Sequence, residues 1–260
     1  MPPAHSIVSP GWRAVDLISD LHLRSDDRDT FDLWRRCLTA PAPGADALLI
    51  LGDLFEVWWG DEVLDGTQAG EAAFLRECAQ VLRHAVAQRP VYFMHGNRDF
   101  LVGPHFFGST GVLPLADPCT LQLGTQRYLL SHGDAWCLGD VDYQRFRAEV
   151  RTPAWEDAFL ARPPAEREQV ALALRQQSEA RKHCGANYAD VDTAAAIDAL
   201  TRHQAHALIH GHTHRPADHT LGPGLVRHVL SDWDARATPP RAELLRLFAD
   251  GRVERRPLLQ

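Results

Sequence analysis

The chain has 260 residues, 45% hydrophobic and 23% charged, which are the proportions of an ordinary globular protein. A formal net charge of −7 argues against a dedicated nucleic-acid binder, which carries a basic face. No apolar run reaches the length of a membrane span, and five scattered cysteines (Cys37, Cys78, Cys119, Cys137, Cys184) lack the pairing of a disulfide framework or zinc cage, as suits a reducing cytoplasm.

Residues 1–13 have neither a cationic start nor a long apolar core. They are expected to form a disordered leader rather than a signal peptide. From residue 14 onward, short apolar runs recur and each ends in a polar cluster. Residues 14–19 (AVDLIS) run into DLH, 47–51 (ALLIL) into GDLFE, and 91–94 (VYFM) into HGNRD. Residues 128–131 (YLLS) run into HGD, and 207–209 (ALI) into HGHTH. Such runs are too short for stable helices and are predicted to be buried strands. Longer helical patterns lie between them, as over 69–88, where Leu75, Val81, Leu82 and Val86 share a face. The alternation predicts an α/β architecture. Residues 136–200 break it with helical patterns punctuated by Pro153 and Pro163-Pro164, which predicts a helical insertion between two core strands. Strands are predicted again over 224–231, 243–248 and 252–257, the last two joined by a turn at Asp250-Gly251.

Each polar cluster alone is weak. A strand-end Asp or His is as often a cap or a surface pair as a ligand, and Asn97 alone would pass for a strand terminator. Together they point to one site. The carboxyl ends of strands in an α/β sheet converge on one crevice. Asp20, His22, Asp53, Asn97, His132, His210 and His212 can therefore meet although far apart in the chain. Carboxylate, amide oxygen and imidazole suit Mn²⁺, Fe²⁺ or Zn²⁺. Seven such residues are too many for one ion and suit two that share a carboxylate.

The order DLHL, GDLFE, GNRD, HGD, GHTH resembles the calcineurin-like metallophosphoesterases. The wider stretches ISDLHL, GDLFEVWWGDE, HGNRDFL, SHGDAWC and HGHTHRP are similar to the branch of that family that hydrolyses UDP-2,3-diacylglucosamine. The resemblance implies a sandwich of two mixed β-sheets flanked by helices, over 14–260, with residues 136–200 as a lid. It implies two divalent ions, Mn²⁺ foremost, with Asp20, His22 and His212 on one, Asn97, His132 and His210 on the other, and Asp53 bridging. Asp53, Asn97 and His132 are then the catalytic core. It also implies a UDP-linked lipid as substrate and peripheral attachment to the cytoplasmic face of an inner membrane, with no nucleic-acid partner. Substrate contacts are implied at Asn97, Arg98, Asp140, Ser178 and His210, and Lys182 falls near a place where the family carries Asn.

Arg98 stands where many relatives carry a histidine. Arginine cannot protonate a leaving group near neutral pH, but its fork suits diphosphate oxygens. The structural alternative is an ion pair with Asp99. The aromatic run Phe55, Val57, Trp58, Trp59 suits either an acyl chain or packing beneath the insertion. A related two-metal phosphoesterase acting on another nucleotide or phosphoester is the alternative function. A degenerate binding scaffold would have lost ligands, and all seven are here.

Overall fold

The computed structural model describes residues 2–8, 11–39, 44–183 and 189–259, and the side chains of all of these except 176–183. In chain order the first half contains β1 (Ala4–Val8), β2 (Ala14–Ile18), α1 (Arg28–Thr39), β3 (Ala47–Leu51), α2 (Glu71–Val86), β4 (Val91–Met94), α3 (Pro104–Thr110), β5 (Leu113–Leu123) and β6 (Gln126–Ser131). Then come α4 (Val141–Val150), α5 (Pro153–Leu160), α6 (Pro164–His183), α7 (Thr193–His203) and β7 (Ala207–His210). The chain finishes with β8 (Ala217–Gly222), β9 (Leu225–Val229), β10 (Glu243–Phe248) and β11 (Val253–Pro257).

Two separate sheets were expected, but the described strands pair into one mixed sheet in the order β11-β10-β2-β3-β4-β5-β6-β7-β9-β8, with β1 beside β5. The joint is β5. Its start pairs with β4 through Leu113 to Leu115, and its end pairs with β6 through Cys119 to Leu123. Pro118 sits between the two ladders, where its missing N–H costs no bond.

Alternation along each strand explains the layers. Leu17, Leu49, Leu51, Met94, Leu121, Leu130, Ile209, Leu245 and Leu247 form one core cluster drawn from both halves of the sheet, which curls around it. Ile18, Leu48, Ile50 and Phe93 face the other way, beneath α1, α2 and α3, with Phe31, Trp34, Leu75 and Phe106. Leu129 and Leu208 face α7 through Ala196, Ala199 and Leu200. Helix α7 thus covers the sheet, so the helices standing apart from it are α4 to α6, a shorter stretch than 136–200. Cys37, Cys78, Cys119 and Cys137 are free thiols, three of them buried.

The disordered leader expected over 1–13 needs correction. Strand β1 runs parallel to β5, pairing Ile7 with Leu121 and Val8 with Gln122, and Ile7 is buried in the core. Strand β5 is longer than its neighbours, and its uncovered backbone groups are what β1 satisfies.

A buried triad clamps the sheet at the far end from its loops. Asp16 on β2 accepts from Arg89 at 3.0 Å and from Arg246 on β10 at 2.6 and 2.9 Å, and all three residues are at most 7% exposed. Asp16→Ala strips two buried guanidiniums of this carboxylate. It should lower unfolding stability by about 3–5 kcal/mol in urea titration.

Candidate active site

The loops after β2, β3, β4, β6 and β7 are knitted together by their own backbones. Asp20 N donates to Gly52 O at 3.1 Å, His22 N to Asp53 O at 3.0 Å, and Gly211 N to His132 O at 3.0 Å. Asp99, fully buried, accepts from the backbone N–H of Leu54 at 2.7 Å, Phe55 at 3.3 Å and Gly96 at 2.7 Å, tying the β3 loop to the β4 loop. These loops turn sharply. Asp20, His22, Asp53, His212 and His214 all have positive φ, between 47° and 66°. Non-glycine residues rarely adopt that region, and such strain concentrates at functional sites. Gly52, at φ 88°, is obligatory for a second reason, because a Cβ there would meet His132 Nδ1 at 2.5 Å.

The turns bring the predicted side chains together. His132 Nδ1 lies 2.9 Å from Leu51 O, and its Nε2 lies 3.0 Å from Asn97 Oδ1 and 3.6 Å from Asp53 Oδ1. His212 Nδ1 is 2.8 Å from the same Asn97 oxygen, and its backbone N–H donates to Asp20 at 3.0 Å. His22 Nε2 is 3.7 Å from Asp53 Oδ2. Asp20, Asp53 and His132 have ligand atoms within 4.8 Å of one another, and so do Asp20, His22 and His214. His214, outside the seven predicted residues, also reaches this cluster. Its Nε2 lies 3.1 Å from His22 Nε2 and 3.5 Å from Asp20 Oδ1, while the His212 ring faces Asn97 and His132.

These residues fit a divalent cation centre on two grounds. The donor set is the carboxylate, amide and imidazole mixture suited to Mn²⁺, Fe²⁺ or Zn²⁺. His210 is fully buried with Nδ1 2.8 Å from Gly211 O, and its Nε2 has no hydrogen-bond partner. A buried imidazole nitrogen left so is costly unless an ion takes it.

Two clefts meet at this centre. One, of 280 Å³, is lined mostly by polar and charged residues, among them His22, Asp53, His212 and His214. The other, of 260 Å³, is lined mostly by apolar side chains, including Trp58, Phe100, Phe146, Trp155, Phe159 and Leu174. Asn97, Arg98, Asp140 and Tyr143 line both. Asp140 is the N-cap of α4 and accepts from Tyr143 N at 3.1 Å. Trp58 and Trp59 are buried in the core as well, with Trp58 against Phe55 and Phe106, so packing and wall coincide in Trp58. Ser178 and Lys182 belong to α6, but their side chains lie outside the described residues.

Arg98 is paired with Glu56 at 3.7 Å, and its backbone N–H donates to Asp53 at 2.9 Å. Sequence reasoning missed Glu56, Tyr143 and Arg175. Tyr143 donates to the buried Asp134 at 2.5 Å, where Arg147 joins at 2.8 Å, and its ring lies 5.7 Å from that of His212. Tyr143, Arg147 and Arg151 recur every fourth residue, which puts them on one helix face, and that spacing was a readable signal. Arg151 reaches Gly96 O at 2.7 Å.

The electrostatics are extreme. Burial opposes charge on His132, but Asp53, Asp20 and Asp134 raise it to about 9. Burial lowers His212 to about 4, helped by His132, and lowers His210 to about 4 against the Gly211 carbonyl. Burial would raise Asp20, yet His214, His132 and His22 hold it well below the carboxylate range. Burial and the Asp53 charge lift Asp99 to about 7. His132 therefore keeps its proton at pH 7 in the metal-free protein, and an ion taking its Nε2 must displace that proton. Mn²⁺ added to stripped protein at pH 7 should release about one proton from this ring, and affinity should rise as pH climbs from 7 towards 9. Calorimetry in two buffers of different ionisation enthalpy reads the proton count, and identical heats would refute it.

Residues 14–216 match the calcineurin-like phosphoesterase family. A UDP-2,3-diacylglucosamine hydrolase of Chromobacterium violaceum is 43% identical over 222 residues, covering 85% of this chain and 90% of that protein. Its counterpart in Stenotrophomonas maltophilia is 43% identical over 227 residues, covering 83% and 89%. The Bordetella pertussis protein of the same name is 40% identical over 251 residues, covering 95% and 94%. This chain belongs to the calcineurin-like phosphoesterase family and, within it, to the UDP-2,3-diacylglucosamine hydrolases.

Proposed function

We propose that the chain cleaves the diphosphate of UDP-2,3-diacylglucosamine, giving UMP and 2,3-diacylglucosamine 1-phosphate (lipid X) in lipid A biosynthesis. The carrying observation, beside family membership, is the shared wall of the two clefts. Asn97, Arg98, Asp140 and Tyr143 face a polar crevice on one side and an apolar groove on the other. A diphosphate bonded to a diacylated sugar needs that adjacency.

In this reading Asp20, His22 and His212 would hold one Mn²⁺, Asn97, His132 and His210 would hold the other, and Asp53 would serve both. When bound, such a pair supplies a water of lowered pKa and a clamp on phosphoryl oxygens. Arg98 lies against one oxygen of Glu56 and forks the diphosphate, spreading charge that builds in the transition state. It need not donate a proton, because the departing group is itself a phosphate. Asp140 and Tyr143 orient the sugar end from α4, and the family resemblance assigns further substrate contacts to Ser178 and Lys182. The oxygen of water bonds to the uridine-side phosphorus, and the bond from that phosphorus to the bridging oxygen breaks. The bridging oxygen leaves with lipid X. Purified protein, Mn²⁺ and substrate in heavy-oxygen water should give labelled UMP and unlabelled lipid X by mass spectrometry. Absence of both products refutes the assignment, and label in lipid X reverses the substrate across the site.

The acyl chains occupy the apolar groove between α4 to α6 and the core. Leu138, Val141, Phe146, Leu160 and Leu174 are exposed in and just before α4 to α6, and Phe146 and Leu174 line the groove. No helix of the described residues is long and apolar enough to cross a membrane. The protein works as a peripheral enzyme at the cytoplasmic face of the inner membrane, with these residues towards the lipid. Each buried methylene contributes about 0.8 kcal/mol. Shortening the acyl chains should therefore lower kcat/KM steeply, and Phe146→Ala with Leu174→Ala should flatten that dependence in a chain-length series. Equal turnover of UDP-glucosamine and the diacyl substrate would remove the lipid role from the groove.

A further inference from the structure

Glu56 follows Asp53 by three residues, within an otherwise apolar run, and is 5% exposed. Its two carboxylate oxygens face different ways. Oε2 lies 2.9 Å from His22 Nδ1. Oε1 lies 3.1 Å from Arg175 Nε and 3.7 Å from an Arg98 terminal nitrogen. The three partners come from the β2 loop, helix α6 and the β4 loop.

We propose that Glu56 is a positioning residue that fixes the His22 ring with one oxygen and the Arg98 and Arg175 guanidiniums with the other, so that one side chain joins a metal ligand, the diphosphate clamp and the insertion. The inference rests on the two-ion reading above. Its first half follows from imidazole chemistry. His22 Nδ1 lies close to Glu56 Oε2 without the alignment of a hydrogen bond, and a ring held against a carboxylate on that side is kept in one orientation with Nε2 turned away from it. His22 Nε2 then faces Asp53 at 3.7 Å. The second half follows from placement. Arg98 lines both the groove and the polar crevice, Arg175 lines the groove, and one carboxylate oxygen lies against both guanidiniums. Guanidiniums held there suit the oxygens of a diphosphate. Because Arg175 belongs to α6, the position of the insertion is transmitted to the same carboxylate that holds His22.

A purely structural Glu56 would stabilise the fold without favouring either ion. The test titrates the metal-stripped full chain with Mn²⁺, reading free Mn²⁺ by electron paramagnetic resonance. Wild type should bind two ions. Glu56→Gln should weaken one step by about 10–100-fold and leave the other unchanged. At saturating Mn²⁺ it should raise KM for the diacyl substrate more than it lowers kcat. Arg98→Ala and Arg175→Ala should keep both Mn²⁺ steps, since they touch the other oxygen. Wild-type Mn²⁺ binding in Glu56→Gln overturns the proposal, and so does equal weakening of both steps with a lowered Tm. If Glu56→Gln does not fold, Glu56→Asp replaces it. The shortened carboxylate should weaken the same step, and wild-type affinity there overturns the proposal equally. Failure of wild type to bind two ions refutes the two-ion reading itself, a result distinct from either.

Discussion

Five carboxylates share the ends of a few neighbouring strands, and none is more than 5% exposed: Asp20, Asp53, Glu56, Asp99 and Asp134. Burying that much like charge is prohibitive unless each group is paired or hydrogen-bonded. The rest of the site answers that constraint. Asp99 is answered by three backbone N–H groups, Asp134 by Tyr143 and Arg147, and Glu56 by His22, Arg98 and Arg175. Asp20 and Asp53 are answered by imidazoles, and these carboxylates in turn hold His132 protonated in the metal-free protein. Two divalent cations would complete the compensation at the pair whose neighbours can all give up a proton. The ion centre and the arginine shell are thus one electrostatic solution.

The convergence of the strand-end Asp, Asn and His residues was legible because two regularities coincide. Parallel strands buried on both faces read as unbroken apolar runs, and their carboxyl ends lie on one side of a sheet. The runs ending at Ser19, Leu51, Met94, Ser131 and Ile209 announce both strand and site. Helix α2 was legible for a similar reason, since its buried Leu75, Val81 and Leu82 repeat at helical spacing. Chemistry, too, was readable from residue type alone at Arg98, because guanidinium excludes the acid role whatever the geometry.

What escaped was set by tertiary partners. Strand β1 has one buried residue, Ile7, and gains its place from the length of β5 rather than from its own pattern. Strand β5 itself is interrupted by Pro118, which locally disguises a strand as a loop. Strand β8 is half-exposed along its length and so shows no apolar run. The single curled sheet, in place of two, also depends on β5 pairing at both ends. Glu56 did carry a signal, since a carboxylate inside LFEVWW must be buried and must find cations. Its partners, however, lie 34 residues upstream at His22, and 42 and 119 residues downstream at Arg98 and Arg175, and only the fold brings them together.

The insertion is fastened to the core at several points, which bears on how binding energy reaches the phosphorus. Arg167 donates to Trp59 O at 2.7 Å, and Phe100 lies 6.1 Å from Trp155. Tyr143, Arg147 and Arg151 bind the base of the insertion to Asp134 and Gly96. A groove so anchored is formed before the lipid arrives, so little binding energy is lost in ordering it. The wall residues Arg98 and Tyr143 belong to groove and crevice alike. In the proposed reading an acyl chain seated in the groove would fix the diphosphate against the charged wall, and remote apolar contacts would become orientation at the reacting centre. Such coupling would give a role to three helices that a hydrolytic site of a handful of strand-end residues does not itself require, and to polar residues that they point at its carboxylates.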